Sequence, residues 1–371
     1  MNEKNTVHDH NTLCIADTID ALSIEGKVAQ LFIVNPESLM QSEATLYDCD
    51  SEMEKVLSSL NLGGMLYFGR NLLEPYQIRS FINKTQLIAK SNHGIPLFQC
   101  VDEEGGLVSR VANRKEFNVL NVGDPQSLGR SGDTKKIYES GRYVGEYLAD
   151  LGFNVDFAPC ADVLTNPNNT VIGNRAYGSA PNVVADSAMA FAQGLMFNNV
   201  IPSFKHFPGH GDTSDDTHYG YAYSNKSLDD LFVCDLIPYI DGIKMGIPMI
   251  MVGHVSYPSV LSGNEPASLS RFFITDILRD RLEYDGLIIT DSLKMKAISD
   301  MYSPEEAAIL TVEAGADIVL RPIAFWPAYN GLVDAVKSGR IKEKRIDESL
   351  KRILKVKRLY IDKCSKVNLV E

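Results

Sequence analysis

The sequence predicts a single (β/α)8 barrel. Three observations carry that prediction: a short apolar run recurs eight times, helix-length stretches separate the runs, and no low-complexity linker or short internal repeat divides the 371 residues. Buried parallel strands joined by helical crossovers have this pattern, and eight such units in one chain of this length argue for a barrel. A doubly wound open sheet is the structural alternative, because periodicity alone does not close a sheet.

In chain order the runs are LFIV from Leu31, GMLYF from Gly64, PLFQCV from Pro96, FNVDFAP from Phe153, IPSFKHF from Ile201, PMIMVGHV from Pro248, GLIITD from Gly286 and ADIVLR from Ala316. Several follow Gly or Pro, as strands entered from a helix C-terminus often do. Helices are expected over 50–61, 75–91, 133–151, 181–199, 227–245, 269–281, 303–315, 326–338 and 342–361. In the one at 133, Asp133 is the cap and Ile137, Val144, Tyr147, Leu148 and Leu151 recur at helical spacing. In the closing segment Ile346, Leu350, Ile353, Leu354 and Leu359 form an apolar stripe under a basic outer face, which is expected to pack on the protein's own body. Residues 1–20 are expected to be a frayed extension, and 21–371 one catalytic domain.

Composition narrows the function. With 44% hydrophobic and 23% charged residues the chain has ordinary globular material, and a net charge of -12 disfavours partners held by phosphate charge, whether nucleic acid or anionic membrane. No apolar run approaches the length of a membrane span, and the start lacks a signal-peptide layout, so a cytoplasmic protein is expected. Six scattered cysteines form no C-x-x-C pair and suggest neither a disulfide framework nor a structural zinc site. Sequons at Asn83, Asn168 and Asn225 are read as chance matches. Nothing in the sequence bears on oligomeric state.

Barrel chemistry sits where strands end, and reactive side chains gather there: Asp102 after the third run, Asp156 and Asp162 on and after the fourth, Lys205 and His206 on the fifth, His254 on the sixth, Asp291 on the seventh and Arg321 on the eighth. Any one of these could be a helix cap or a solvated loop residue; six strands pointing the same way favour a site. Asp291 is the sharpest, a carboxylate directly after a run that must be buried, suited to act as a nucleophile or to stabilise positive charge. In the loop KHFPGHGDTSDDTHY, Pro208, Gly209 and Gly211 prevent a regular helix, so His206 and His210 are not a helical zinc pair. A loop-borne metal site from His206, His210, Asp212, Asp216 or His218 is the weaker reading. Asp216, two residues before His218, can instead fold back to bond the imidazole as in a catalytic dyad.

The loop KHFPGHGDTSDDTH, with VDEEGGLVSR before it and TDSLKM after it, resembles glycoside hydrolase family 3, and within it the β-N-acetylglucosaminidase branch that includes single-domain bacterial enzymes recycling cell-wall fragments. The likeness runs in order through SIEGKVAQLFIV, GGMLYFGRNL, GFNVDFAPCADV, IGNRAYGS and ADIVLRP. It implies that Asp291 is the nucleophile, His218 the general acid/base with Asp216 as its partner, and Asp102, Arg110, Arg175, Lys205 and His206 the sugar-binding residues, with no metal and no organic cofactor. Asp162 and His254 fit the surroundings as supporting residues, and the role of His210 is open. The implied activity is retaining removal of terminal β-linked N-acetylglucosamine from muropeptide fragments or chitooligosaccharides. A histidine acid leaves one fewer negative charge at the anomeric centre than a carboxylate would, so phosphorolysis by the same residues is the rival within enzymes. A non-catalytic sugar-binding barrel is the rival from another class. Two positions depart from the family pattern: Glu103, where Gln is frequent and which is expected to add a charge near the site, and Ser292, where an acidic residue is common.

Overall fold

The protein is described from a computed structural model covering residues 10–215 and 222–362. Each apolar run forms a strand: β1 Phe32–Val34, β2 Gly64–Leu66, β3 Phe98–Val101, β4 Val155–Asp156, β5 Ile201–Phe207, β6 Met249–Val252, β7 Leu287–Thr290 and β8 Val319–Leu320. All pair in parallel in the order β7, β6, β5, β4, β3, β2, β1, β8, and a bridge between Ile289 and Ile318 joins the two ends into a barrel. The strands are almost wholly buried because the barrel interior covers one face and the helical ring the other.

The helices follow the expected spans with two instructive differences. The expected 227–245 helix is two: Leu228–Val233, capped by Ser227, and Ile237–Met245. Pro238 explains the break, since its ring and missing N–H are tolerated in the first turn of the second helix but not inside a continuous one. The stretch expected at 269–281 is wound as a π-helix over Phe272–Arg281. The helix Thr134–Leu151 starts as read, with the Asp133 carboxylate accepting from the Lys136 N–H, and all five of its predicted apolar positions are buried.

The closing helix, Glu343–Tyr360, buries Ile346, Leu350, Ile353 and Leu354, each worth about 1.5–3 kcal/mol. Leu359 does not join them and is 48% exposed. The inner face at that level is held by Lys357, and Leu359 lies about 200° further round the helix. Lys357 plugs the bottom of the barrel: its Nζ donates to Gln30 Oε1 at 2.9 Å and to the Gly63 carbonyl at 2.8 Å, and it lies 4.8 Å from the centre of the Phe98 ring. Against this helix lies another, His10–Asp20, inside the segment expected to be frayed; Ile19 is buried and Thr18 Oγ1 accepts from Arg358. Among the described residues no helix is long and apolar enough to cross a membrane.

Candidate active site

Because all eight strands are parallel, their C-terminal ends share one mouth. Asp102 follows β3, Lys205 and His206 lie near the end of β5 across a cis peptide, His254 stands just beyond β6, Asp291 follows β7 and Arg321 follows β8. Topology therefore brings together residues spread over more than half of the chain.

On one side of the mouth is a buried charge cluster. Lys205 Nζ lies 3.1 Å from Asp102 Oδ1 and 2.6 Å from Glu104 Oε1. Arg175 donates its fork to the same Glu104, Nε to Oε2 at 2.9 Å and a terminal nitrogen to Oε1 at 2.8 Å. Burial would raise the Glu104 pKa, but the two cations outweigh it and hold the carboxyl down at about 2. Lys205, although buried, is held protonated by Glu104 and Asp102. Arg110 approaches Asp102 only to 3.8 Å, and its Nε is buried without a protein partner among the described residues. Polar hydrogens left over in this way are what a hydroxyl-rich ligand satisfies.

Next to it, Asp162 organises the fifth strand's end. Its Oδ2 accepts from His206 Nδ1 at 2.7 Å, and its Oδ1 accepts from the backbone N–H of His206 at 3.1 Å and of His210 at 2.6 Å. Burial opposes the Asp162 charge, and His206 and those amides overcome it, leaving the carboxylate well below its ordinary pKa. His206 Nε2 lies 3.4 Å from an Arg175 nitrogen, which can only donate, so Nε2 is the acceptor of that pair.

Across the mouth, Asp291 is partly exposed. Burial raises its pKa, but His206, His254, the Ser292 N–H at 2.6 Å and Lys205 bring it below the ordinary carboxylate value. The carboxylate is thus ionised and oriented at neutral pH. His254 stands behind it: Nε2 donates to the Ser292 carbonyl at 2.9 Å while Nδ1 accepts from Ser268 Oγ at 2.6 Å. Its burial lowers the imidazole pKa against the pull of the Asp291 charge.

The histidine-rich loop is clamped to the loop after β4. Gly211 is required there because a Cβ would overlap the Val163 carbonyl. Asn169, nearly fully buried, donates to the His210 carbonyl at 2.7 Å and Thr213 Oγ1 at 3.1 Å, while its own oxygen accepts from Val171 and Ile172. His210 Nδ1 pairs with Thr213 Oγ1 at 2.8 Å, and that hydroxyl donates to the His210 carbonyl at 3.0 Å, so this ring braces its own loop. Asp216 and His218 lie outside the described residues.

The Glu103 carboxyl is turned inward and is not exposed at the mouth. It is fully buried and accepts from the Val111 and Ala112 amides at 2.7 and 2.9 Å and from Tyr147 OH at 2.9 Å. Burial raises its pKa against those donors. The side chain closes the turn that carries Arg110.

The profile of the glycosyl hydrolase family 3 N-terminal domain matches residues 23–356. The chain belongs to this family. Beta-hexosaminidase A of Pseudoalteromonas piscicida is 34% identical over 331 residues, 82% of this chain and 55% of that protein. Beta-hexosaminidase LpqI of Mycobacterium tuberculosis (strain ATCC 25618 / H37Rv) is 34% identical over 91% of this chain and 83% of its own length. The solved structure of a glycoside hydrolase family 3 beta-N-acetylglucosaminidase from Paenibacillus sp. str. FPU-7 superposes with a TM-score of 0.84 and 37% identity, over 91% of this chain and 62% of that one. The chain therefore spans between about half and two thirds of the length of two of these relatives.

Within this family 3 barrel the structure adds residues that the sequence reading passed over. Glu104 is the hub of the cation cluster, and the only sequence signal was a second acidic residue after a strand end. Asn169 had a weaker signal, an asparagine pair on a polar loop, and Ser268 had none.

Proposed function

We propose that this chain is a retaining β-N-acetylhexosaminidase that removes terminal β-linked N-acetylglucosamine, with Asp291 as nucleophile, His218 as general acid/base and Asp216 as its partner. Asp102, Arg110, Arg175, Lys205 and His206 hold the sugar. The observation that carries the reading is Asp291 itself: a mouth-facing carboxylate held below its ordinary pKa and oriented by the Ser292 amide, opposite a buried cation cluster. The names of the relatives, hexosaminidases and an N-acetylglucosaminidase, support the same substrate class. Cell-wall muropeptide fragments and chitooligosaccharides both present the required terminus.

The chemistry follows from the groups. Asp291 attacks the anomeric carbon while the protonated His218 gives its proton to the leaving oxygen. The neutral His218 then takes a proton from water, which displaces Asp291 with net retention. Glu104, by holding Lys205 and Arg175, keeps donors in fixed places without reorganisation on binding.

Turnover of a chromogenic β-N-acetylglucosaminide tests the proposal, measured with and without phosphate and chelator. Asp291→Ala should abolish turnover, and survival of activity would refute the nucleophile. His218→Ala should lose about 10²- to 10⁴-fold on substrates with poor leaving groups and much less on activated ones. Equal losses would remove His218 from the acid role. A sugar 1-phosphate formed in phosphate buffer would identify phosphorolysis, and a chain that binds the sugar without turnover would be a lectin-like barrel.

A further inference from the structure

We propose that Cys160, Asp162 and His206 form a site for a thiophilic divalent cation such as Zn²⁺, through which the ion inhibits the enzyme. Among the described residues these three bring one sulfur, one oxygen and one nitrogen ligand atom within 4.8 Å of one another. Cys160 Sγ is 3.1 Å from Asp162 Oδ2, and His206 Nδ1 is 2.7 Å from the same oxygen. The site lies beside the sugar-holding face and uses His206 but neither His210 nor His218.

The backbone prepares the three residues. Residue 160 bridges to Lys205 on the adjacent strand, and the Ala161 amide donates to the Lys205 carbonyl at 2.7 Å, so the two ligand-bearing segments are fixed to each other. The second Asp162 oxygen is held by the His206 and His210 amides, the outer support that metal-bound carboxylates ordinarily have. A tetrahedral ion with bonds of about 2.0–2.3 Å needs its ligands about 3.3–3.6 Å apart, so the Asp162 oxygen moves roughly half an ångström away from Cys160 Sγ and His206 Nδ1 to admit it. Sulfur and imidazole select a soft or borderline ion over Mg²⁺ or Ca²⁺, which demand oxygen shells.

The ion takes the Cys160 thiolate, the ionised Asp162 and His206 Nδ1; the thiol proton leaves to solvent and the imidazole proton moves from Nδ1 to Nε2. The two anionic ligands neutralise the charge of the ion. His206 Nε2 then carries a hydrogen that faces the Arg175 nitrogen 3.4 Å away, turning an acceptor into a donor at the sugar-holding surface. His206 is the one ligand not fully shut off from the mouth, so a fourth position opens toward the sugar. The inhibitory part rests on the proposal above that His206 holds the sugar; the binding part does not.

Zn²⁺ alone is titrated calorimetrically into wild type, C160S, C160A and H218A, in two buffers of different ionisation enthalpy, with Mg²⁺ as control. The expected result is one Zn²⁺ per chain with about one proton released, affinity weakened at least roughly 10- to 100-fold in both Cys160 variants and unchanged in H218A, and no Mg²⁺ binding. Co²⁺ should give a thiolate charge-transfer band that C160A lacks. Inhibition by Zn²⁺, reversed by chelator and scored against each variant's own metal-free rate, should weaken in parallel with binding. Wild-type affinity in C160A and C160S, or its loss in H218A, overturns the site. Binding that follows Cys160 without inhibition upholds the site and overturns the sugar contact of His206.

Discussion

Replacing Glu104 by Gln tests whether the cation cluster is electrostatically required. Glu104 is fully buried and is the shared acceptor of Lys205 and Arg175, at 2.6 Å from one and 2.8 and 2.9 Å from the other. Its pKa falls from 4.5 to about 2 in the fold, which corresponds to about 3 kcal/mol of stability at about 1.4 kcal/mol per pH unit. Breaking a buried pair by removing one partner costs about 3–5 kcal/mol, in agreement. Because the folded pKa lies below the unfolded one, this stability is fully present above the ordinary value of 4.5 and is lost as pH falls toward 2. Urea denaturation of wild type and E104Q at pH 7 should show a gap of about 3 kcal/mol with unchanged slope, narrowing to roughly half by pH 3. A gap below about 1 kcal/mol at pH 7, or one that stays constant down to pH 3, would refute the reasoning.

Three further outcomes are expected. Asp162→Asn removes one acceptor oxygen from a carboxylate that serves His206 and His210, so kcat/KM should fall about ten- to a hundredfold, the equivalent of about 1.5–3 kcal/mol; an unchanged value would show that His206 needs no such partner. Lys357→Met should abolish a pH dependence: burial lowers this lysine from 10.5 to about 7, so the unfolded chain binds a proton that the folded chain lacks between those values, and wild-type stability climbs from pH 7 toward 10.5 while the variant's does not. A climb of equal size in the variant would show that the plug does not titrate. Asn169→Ala unclamps the loop at 210–213 and should cost about 1–3 kcal/mol in denaturation and lower kcat more than it raises KM; a change confined to stability would make Asn169 purely structural.

The barrel was legible because its signals are local. An apolar run of the right length, entered after Gly or Pro and followed by helical periodicity, reports a buried strand whatever its neighbours are, and all eight runs became strands. The break at Pro238 was equally written in the chain, since a proline's missing N–H acts within one helical turn. Leu359 misled because apolar spacing says nothing of which side a helix presents, and Lys357, a charged residue, holds the inner position instead.

The residue types at the strand ends, and hence the mouth as a place for chemistry, came from the amino-acid order alone: an Asp, Lys or His at the end of a buried run must face the barrel's open end. What each one does there depended on distance, which sequence does not carry. Only the closed sheet put Glu104 between Lys205 and Arg175, turned Glu103 inward to the Arg110 turn, stood His254 behind Asp291, and set Cys160 beside His206 from the neighbouring strand. Hydrogen bonds and charge effects fall off within a few ångströms, so partners far apart in the chain acquire their roles only when the fold makes them neighbours.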